Sequence, residues 1–531
     1  MTSAPTATRL GGHLVVECLE ALGAEVAFGL PGIHALAIWE ALRTSPVRCL
    51  GFRTELNAGF AADGFARVSG RPAPLLLSTG PGALNSLTAL MEAASSHVPV
   101  VAIASQIPRD LIGRGRGFLH ELRDQRAAFE PVVKWAVRVQ EVESLPATLA
   151  EAWRCALTPP SGPVFVEVPV DVLTAETDAP SIEELDAEPP APPAPPVGEA
   201  AALLERAERP VIWAGGGVLR AGASSEIAAL AERLDAPVAT TYMGKGALPE
   251  DHPLSAGSAC DEPAFQELLR DADVVLAVGT ELGAETTAQY ALELRGQVIQ
   301  IDADEARIGA TYPAAAVVVG DARAALAALA GAVPARQRGG ADRARLVREA
   351  SVHADHELER GLLATIRSAL PRDAVHAWDM TILAYWAAAH FPALEPRRFL
   401  YPLGSGTLGY AWPAALGAKA ALPETPVLAV AGDGGILYGL QELATAREHG
   451  LDAKLLLVDD GGYGILREYQ RDAYGETHGV DLVQPDFAAV CAAFGVPARV
   501  GRPEQLGDAL EWALAEPGPA AIVLPARLSF G

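Results

Sequence analysis

Short, almost wholly apolar runs, each stopped by glycine or proline and followed by a helical stretch, recur along the whole chain. "APLLLST", "VPVVAIAS" and "GPVFVEVPVDV" come first, then "RPVIWAGGG", "APVATTY", "ADVVLAVGT" and "GQVIQIDAD", and finally "TPVLAVAGDGG", "AKLLLVDDGG" and "AAIVLP". A strand that is apolar at every position must be covered on both faces, which is the habit of parallel strands sandwiched by helices. Strand and helix alternating three times over predict an α/β chain of three open, mostly parallel-sheet domains. The first is expected over residues 1–178, opening with the amphipathic helix "HLVVECLEAL" that Gly23 stops. The second is expected over 198–335 and the third over 361–531. The tract "AEPPAPPAPPVGEA" admits neither helix nor central strand, so 179–197 is expected as a semi-rigid linker, with the polar stretch 336–360 as a second.

A chain of 531 residues needs more than one core, because single cores stop growing near roughly 250–300 residues. The formal net charge of -25 speaks against non-specific nucleic-acid or anionic-membrane partners. Five scattered cysteines with no CxxC pair argue against structural zinc and a disulfide framework, and fit a reducing compartment. The opening "MTSAPTATRLGG" lacks a signal-peptide pattern, and no apolar run reaches the roughly 20 residues of a membrane span. A cytoplasmic location is expected.

The chemistry concentrates in "GDGGILYGLQELATAREHGLDAKLLLVDDGGYG", from Gly432 to Gly464. A strand delivers Gly432-Asp433-Gly434-Gly435 to the start of a helix predicted over "ILYGLQELATAREHG". Glycines admit a ligand close to the backbone, and a helix start offers free amides to a phosphate. Asp433 would repel that phosphate unless a metal stood between them. One helix and one strand later a second acidic turn follows, Asp459-Asp460-Gly461-Gly462. Two carboxylates, a backbone carbonyl, phosphate oxygens and water satisfy the octahedral oxygen shell of Mg²⁺.

These two turns, with Asp460 27 residues after Asp433, resemble the cofactor signature of the thiamine diphosphate enzymes, Gly-Asp-Gly followed by Asn-Asn. The resemblance continues in "RTELNAGFAADGFARVSG", "LLLSTGPGALNSL", "MGKGALPEDHPLSAG", "IDADEARIG" and "GSGTLGYAWPAALGA". The group resembled is that of the acetolactate synthases and 2-oxoacid decarboxylases. It implies a pyrimidine-binding first domain, a Rossmann-like middle domain and a diphosphate-binding third domain. Carried over, Glu55 matches the glutamate that hydrogen-bonds the cofactor's aminopyrimidine. Gly406 matches the carbonyl that accepts from that ring, and Leu408 the wedge that bends the cofactor. Asp433, Asp460 and the Gly462 carbonyl match the metal ligands, and Asp379 is a candidate diphosphate contact. Gly432, Gly434, Gly435, Tyr463, Gly464 and Ile465 complete the implied cofactor-binding set. One departure is Asp459-Asp460 where the family usually has two asparagines; carboxylate remains a hard oxygen ligand, but the added charge bears on how tightly the diphosphate is held. The resemblance further implies a homodimer or homotetramer with active sites between subunits.

Substrate-facing positions depart from each familiar member. Tyr469 stands where acetolactate synthases carry Trp, and Leu466 where pyruvate decarboxylases carry a second Glu. Ile33 and Ser78 replace the Ser and His of benzoylformate decarboxylases, and "ELGAETTAQYALELRG" has no clear counterpart to FAD-binding stretches, which speaks against FAD. "GRGRGFLHELRDQRAAF" resembles a segment of bacterial 5-guanidino-2-oxopentanoate decarboxylases. His120 within it is the candidate substrate-facing proton donor, Glu121 or Asp124 are candidates to answer a guanidinium, and His34 and Tyr463 are candidates to line the pocket. The expectation is a thiamine diphosphate- and Mg²⁺-dependent, non-oxidative decarboxylase of a small 2-oxo acid, a basic one among the candidates. The first alternative is an acetolactate-synthase-like carboligase. A non-catalytic nucleotide-binding protein using "WAGGGVLRAG" is the second; that turn lacks the GxGxxG spacing, and the presence of Glu55 argues against it.

Overall fold

The computed structural model describes residues 9–190, 194–351 and 356–530. The opening residues on which the leader reading rests, and parts of both expected linkers (191–193 and 352–355), lie outside the described residues. Three six-stranded sheets account for the apolar runs, and every pairing within them is parallel. Counting strands along the chain within each sheet, the first and third sheets share the order 2-1-3-4-6-5, whereas the middle sheet runs 3-2-1-4-5-6. In such open sheets the crevice lies beyond the carboxyl ends of the strands, where the strand order reverses. For the first sheet that point lies between Val26–Gly29 and Ala73–Leu77; for the third, between Val375–Trp378 and Val427–Gly432.

The chain forms two compact units. One comprises the chain up to Pro190 together with Gly404–Pro423 and Gly439–Leu451; the other takes the intervening stretch to Leu403, Glu424–Tyr438 and everything from Asp452. Two helices of the third segment, Ala411–Ala421 and Glu442–His449, therefore belong with the first sheet. Small residues allow this. A methyl on Gly417 would come 1.8 Å from the Ala61 carbonyl oxygen, and one on Gly64 2.2 Å from that of Ala414, so the helices Glu55–Ser69 and Ala411–Ala421 touch backbone to backbone. In the second unit one apolar cluster runs from Trp213 and Val275 on the middle sheet, through Leu383 and Ala387, to Leu428, Leu456 and Ile522 on the third.

Two local expectations are revised. The helix predicted after the Gly-Asp-Gly turn is broken into Asp433–Ile436 and Glu442–His449, with three-residue turns closed by Tyr438 N to Gly435 O (3.1 Å) and Glu442 N to Gly439 O (3.0 Å). Glycines at 434, 435 and 439 weaken a continuous helix there. The polar stretch 336–360 contains the helix Gly340–Ala350, whose Ala344 and Val347 are buried. Among the described residues no helix is long and apolar enough to cross a membrane.

Candidate active site

The predicted site residues fall into two groups, one in each unit. In the first unit Glu55 opens the helix Glu55–Ser69, and the Thr54 hydroxyl accepts from Asn57 N at 3.3 Å. That start is held from below by Glu442, which is fully buried and accepts from Arg53 N (3.1 Å) and Asn57 Nδ2 (3.1 Å). Burial pushes the Glu442 carboxyl pKa up, against the pull of its donors Thr445 and Asn57. The Glu55 side chain itself is half-exposed and accepts from Asn85 Nδ2 at 3.1 Å.

Around Glu55 the turns that follow strands 1 and 3 of the first sheet close in. A methyl on Gly82 would sit 3.1 Å from Glu55 Oε1 and 3.2 Å from Ser78 Cβ, and one on Gly32 2.1 Å from Ser78 Oγ. His120 hangs over Gly80 with φ at 66°, and its ring meets that of His34 edge-on at 5.4 Å. His34 also faces Phe118 at 5.8 Å. Burial, then the neighbouring imidazole, lowers the His34 pKa. His34 Nδ1, His120 Nδ1 and Ser78 Oγ are buried without a protein partner, so the predicted pocket residues Glu55, His34, Ser78 and His120 share one neighbourhood with unfilled hydrogen-bonding capacity. Ile33, in the adjoining turn, is 59% exposed.

Glu121 is engaged differently from the guanidinium-binding role considered for it. Its carboxylate accepts from the backbone amides of Gly115 (2.8 Å), Gly117 (2.7 Å) and Phe118 (3.1 Å), closing its own loop. Desolvation is the largest single influence and raises its pKa, but the loop's backbone amides together outweigh it and the net shift is downward. Asp124 caps the helix Gln125–Phe129 through Ala127 N and faces Arg138 at 3.4 Å. Gly406 and Leu408 lie in the loop between Gly404 and Tyr410, with Gly406 at φ 66°.

In the second unit Asp379 directly follows strand 1 of the third sheet, Gly432 ends strand 3, and Asp459 ends strand 4. Strands 3 and 4 pair in parallel, Gly432 opposite Val458, so the two acidic turns emerge side by side. The Asp379 carboxylate packs 3.2 Å from where a methyl on Gly435 would be; a methyl on Gly464 would come 2.0 Å from Asp460 Oδ2. Gly462 N donates to Asp460 Oδ1 (3.1 Å), and an isolated antiparallel bridge from Gly462 to Asp481 fixes the second turn. Burial raises the Asp433 pKa, and Asp460 adds to it, bringing it to about 6 against the Gly434 and Gly462 amides. Asp460 is likewise raised by burial, with Arg467 as the main opposing charge. Tyr463, Gly464 and Ile465 continue from this turn into the helix Gly464–Tyr474, on which Leu466 and Tyr469 are exposed.

Sequence reasoning missed several partners. Gln484 Nε2 donates to Asp433 Oδ2, Arg467 pairs with Asp481 at 2.9 Å under the second turn, Asn85 holds Glu55, and Glu442 holds the helix that bears it. Only Arg467, seven residues after Asp460, left a signal in charge spacing. Among the described residues no three His, Cys, Asp or Glu side chains converge as a metal cage.

Residues 9–128 match the thiamine pyrophosphate enzyme N-terminal TPP binding domain, 197–329 the central domain and 379–524 the C-terminal TPP binding domain. The chain is 39% identical to a Pseudomonas aeruginosa protein described as a probable 2-ketoarginine decarboxylase, AruI, over 95% of this chain and 91% of that one. It is 33% identical to a probable acetolactate synthase large subunit of Methanocaldococcus jannaschii, over 95% and 90% of the two chains. It is 30% identical to the acetolactate synthase isozyme 1 large subunit of Escherichia coli, over 98% and 95%. With family domains matched in order along three parallel sheets, the chain belongs to the thiamine pyrophosphate enzymes, as a thiamine diphosphate-dependent carboxy-lyase or carboligase.

Proposed function

We propose that this protein is a Mg²⁺-dependent, non-oxidative decarboxylase of a 2-oxo acid, with a basic substrate such as 5-guanidino-2-oxopentanoate. The observation that carries the reading of the site is the pair of acidic turns that emerge side by side from strands 3 and 4 of the third sheet, the first of them bordering its switch point. A buried carboxylate, Asp433, beside a partly buried one, Asp460, whose like charges repel calls for a cation, and Gly434, Gly435 and Gly464 pack so closely on Tyr463, Asp379 and Asp460 that no side chain fits there. Hard oxygen donors fit Mg²⁺, which is commonly held by one or two carboxylates plus phosphate oxygens rather than by a full side-chain cage. Asp433, Asp460 and the Gly462 carbonyl would hold the metal, and the Gly434 and Gly435 amides and Asp379 would border the diphosphate. Gly406 and Leu408 would orient the rings.

Bound there, thiamine diphosphate supplies the electron sink for loss of carbon dioxide from a 2-oxo acid. Glu55 holds a proton at its carboxyl for exchange with the aminopyrimidine, and His120 provides a proton from its imidazole on the substrate side, with His34 and Ser78 beside it. Ile33, Leu466 and Tyr469 would border the substrate, and Glu121 shapes the His120 loop. A basic substrate is supported by the likeness to a 2-ketoarginine decarboxylase. Residues 1–178, 198–335 and 361–531 are read as the three domains, working as a homodimer or homotetramer in the cytoplasm without FAD.

The second reading, a carboligase joining the decarboxylated unit to another carbonyl compound, is favoured by the acetolactate synthase relatives. A panel of 2-oxo acids including 5-guanidino-2-oxopentanoate and pyruvate, assayed for carbon dioxide, aldehyde and 2-hydroxyketone, separates the two. The expected result is aldehyde in step with carbon dioxide. Accumulation of 2-hydroxyketone without aldehyde sinks the decarboxylase reading, and unchanged turnover in Glu55→Gln sinks the assigned chemistry.

A further inference from the structure

The loop that bears Gly406 and Leu408 contains no regular structure, yet both of its ends are tied to one buried polar network. At its start, Ser405 donates to Glu92 Oε2 from its backbone N (2.7 Å) and from its hydroxyl (2.8 Å). At its end, the Tyr410 hydroxyl donates to Asp63 Oδ1 at 2.6 Å. Arg67 bridges the two acids, with Nε to Asp63 Oδ1 at 2.6 Å and Nη2 to Glu92 Oε1 at 2.7 Å. Asp63, Glu92 and Tyr410 are fully excluded from water, and Ser96 Oγ fills the remaining side of Glu92 at 2.8 Å. The Tyr410 ring lies against Phe60 and under the Arg67 guanidinium, 5.4 Å from ring centre to Cζ.

Two carboxylates bridged by one guanidinium are costly to bury unless every oxygen is used. Here Glu92 Oε2, which Arg67 leaves over, holds the loop at Ser405, and Asp63 Oδ1, which Arg67 Nε also uses, accepts from Tyr410. We propose that Asp63, Arg67 and Glu92 form a clamp that fixes both ends of the Ser405–Tyr410 loop and thereby sets the backbone of Gly406 and the side chain of Leu408 for the cofactor. They act as positioning residues, through Ser405 and Tyr410. The clamp also gives the helix that begins with Glu55 a second task, since Asp63 and Arg67 lie on it. This inference rests on the reading that the loop meets thiamine diphosphate.

The test uses the full chain with Mg²⁺ and thiamine diphosphate, comparing wild type with the double variant Ser405→Ala/Tyr410→Phe, which deletes one hydroxyl at each end of the loop. Amide hydrogen exchange at 406–409 is expected to rise at least tenfold, with the strands Ala73–Leu77 and Val100–Gln106 unchanged. The dissociation constant for thiamine diphosphate is expected to rise at least tenfold. Wild-type exchange in the loop of the double variant would overturn the clamp, as would an equal rise in those strands, which marks general destabilisation. Faster loop exchange with unaltered cofactor affinity would overturn the positioning role. If the double variant fails to fold, each single hydroxyl deletion is read by the same two measurements. A wild-type protein that binds no thiamine diphosphate refutes the proposed function instead, while the exchange comparison still decides the clamp.

Discussion

Replacing Lys245 by methionine isolates a charge that the second unit buries. Lys245 Nζ lies 2.8 Å from Glu250 Oε1, and the two side chains are only 1% and 8% exposed. Ser258 Oγ is 2.7 Å away and the Phe399 ring 5.5 Å. At an effective dielectric near 20, unit charges at this separation attract by roughly 6 kcal/mol. Removing one member of a buried pair leaves the other uncompensated, at a cost of about 3–5 kcal/mol. Burial already pushes the Glu250 pKa up, against Lys245, so in the variant the carboxyl escapes part of that cost by taking a proton. The lower end, about 3 kcal/mol, is therefore expected. At roughly 1–2 °C per kcal/mol for a unit of this size, this lowers the melting temperature by about 3–6 °C. The assay is thermal unfolding followed by near-ultraviolet circular dichroism at pH 7.5. The double variant Lys245→Met/Glu250→Gln should recover at least half of the loss, because no unpaired charge remains. A single variant that melts within 1 °C of wild type, or a double variant no better than the single, would refute the argument that an unpaired buried charge sets the loss.

Three further outcomes are expected. His376 is fully buried against Trp378, Phe391 and Phe399, and burial holds its pKa well below 6.5. The unfolded chain therefore binds that proton first: stability is full above about pH 6.5 and falls below it by up to about 1.4 kcal/mol per pH unit. His376→Phe should flatten that acid limb in urea titrations between pH 7 and 5; an identical slope counts against it. Gly417→Ala puts a methyl 1.8 Å from a backbone oxygen and should cost about 3 kcal/mol by forcing two helices apart, read as a lowered unfolding midpoint. Glu442→Ala strips the Arg53 amide and Asn57 of their buried acceptor and should cost about 1–3 kcal/mol. Faster hydrogen exchange at residues 53–57 is its signature, and wild-type rates there would contradict it.

The wholly apolar runs and their glycine stops were legible as parallel strands, because a strand covered on both faces has no solvent side to mark with polar residues. The acidic turns at Asp433 and Asp460 were legible too, since each follows an apolar strand and is marked by glycines that let the chain turn. So was the α/β class, along with the family. Tertiary structure decided what lies across from each of these. Nothing in local spacing told that Gln484 would reach Asp433, that Glu121 would close its own loop, or that Glu92 would hold Ser405 across more than 300 intervening residues. The first and last of those pairings join segments distant in the chain and form only once the sheets have assembled, whereas the Glu121 contacts are local and depend on how the glycine-rich loop turns. The two helices that leave the third segment for the first unit show the same division: small residues permit the close approach, but only the assembled fold supplies the partner.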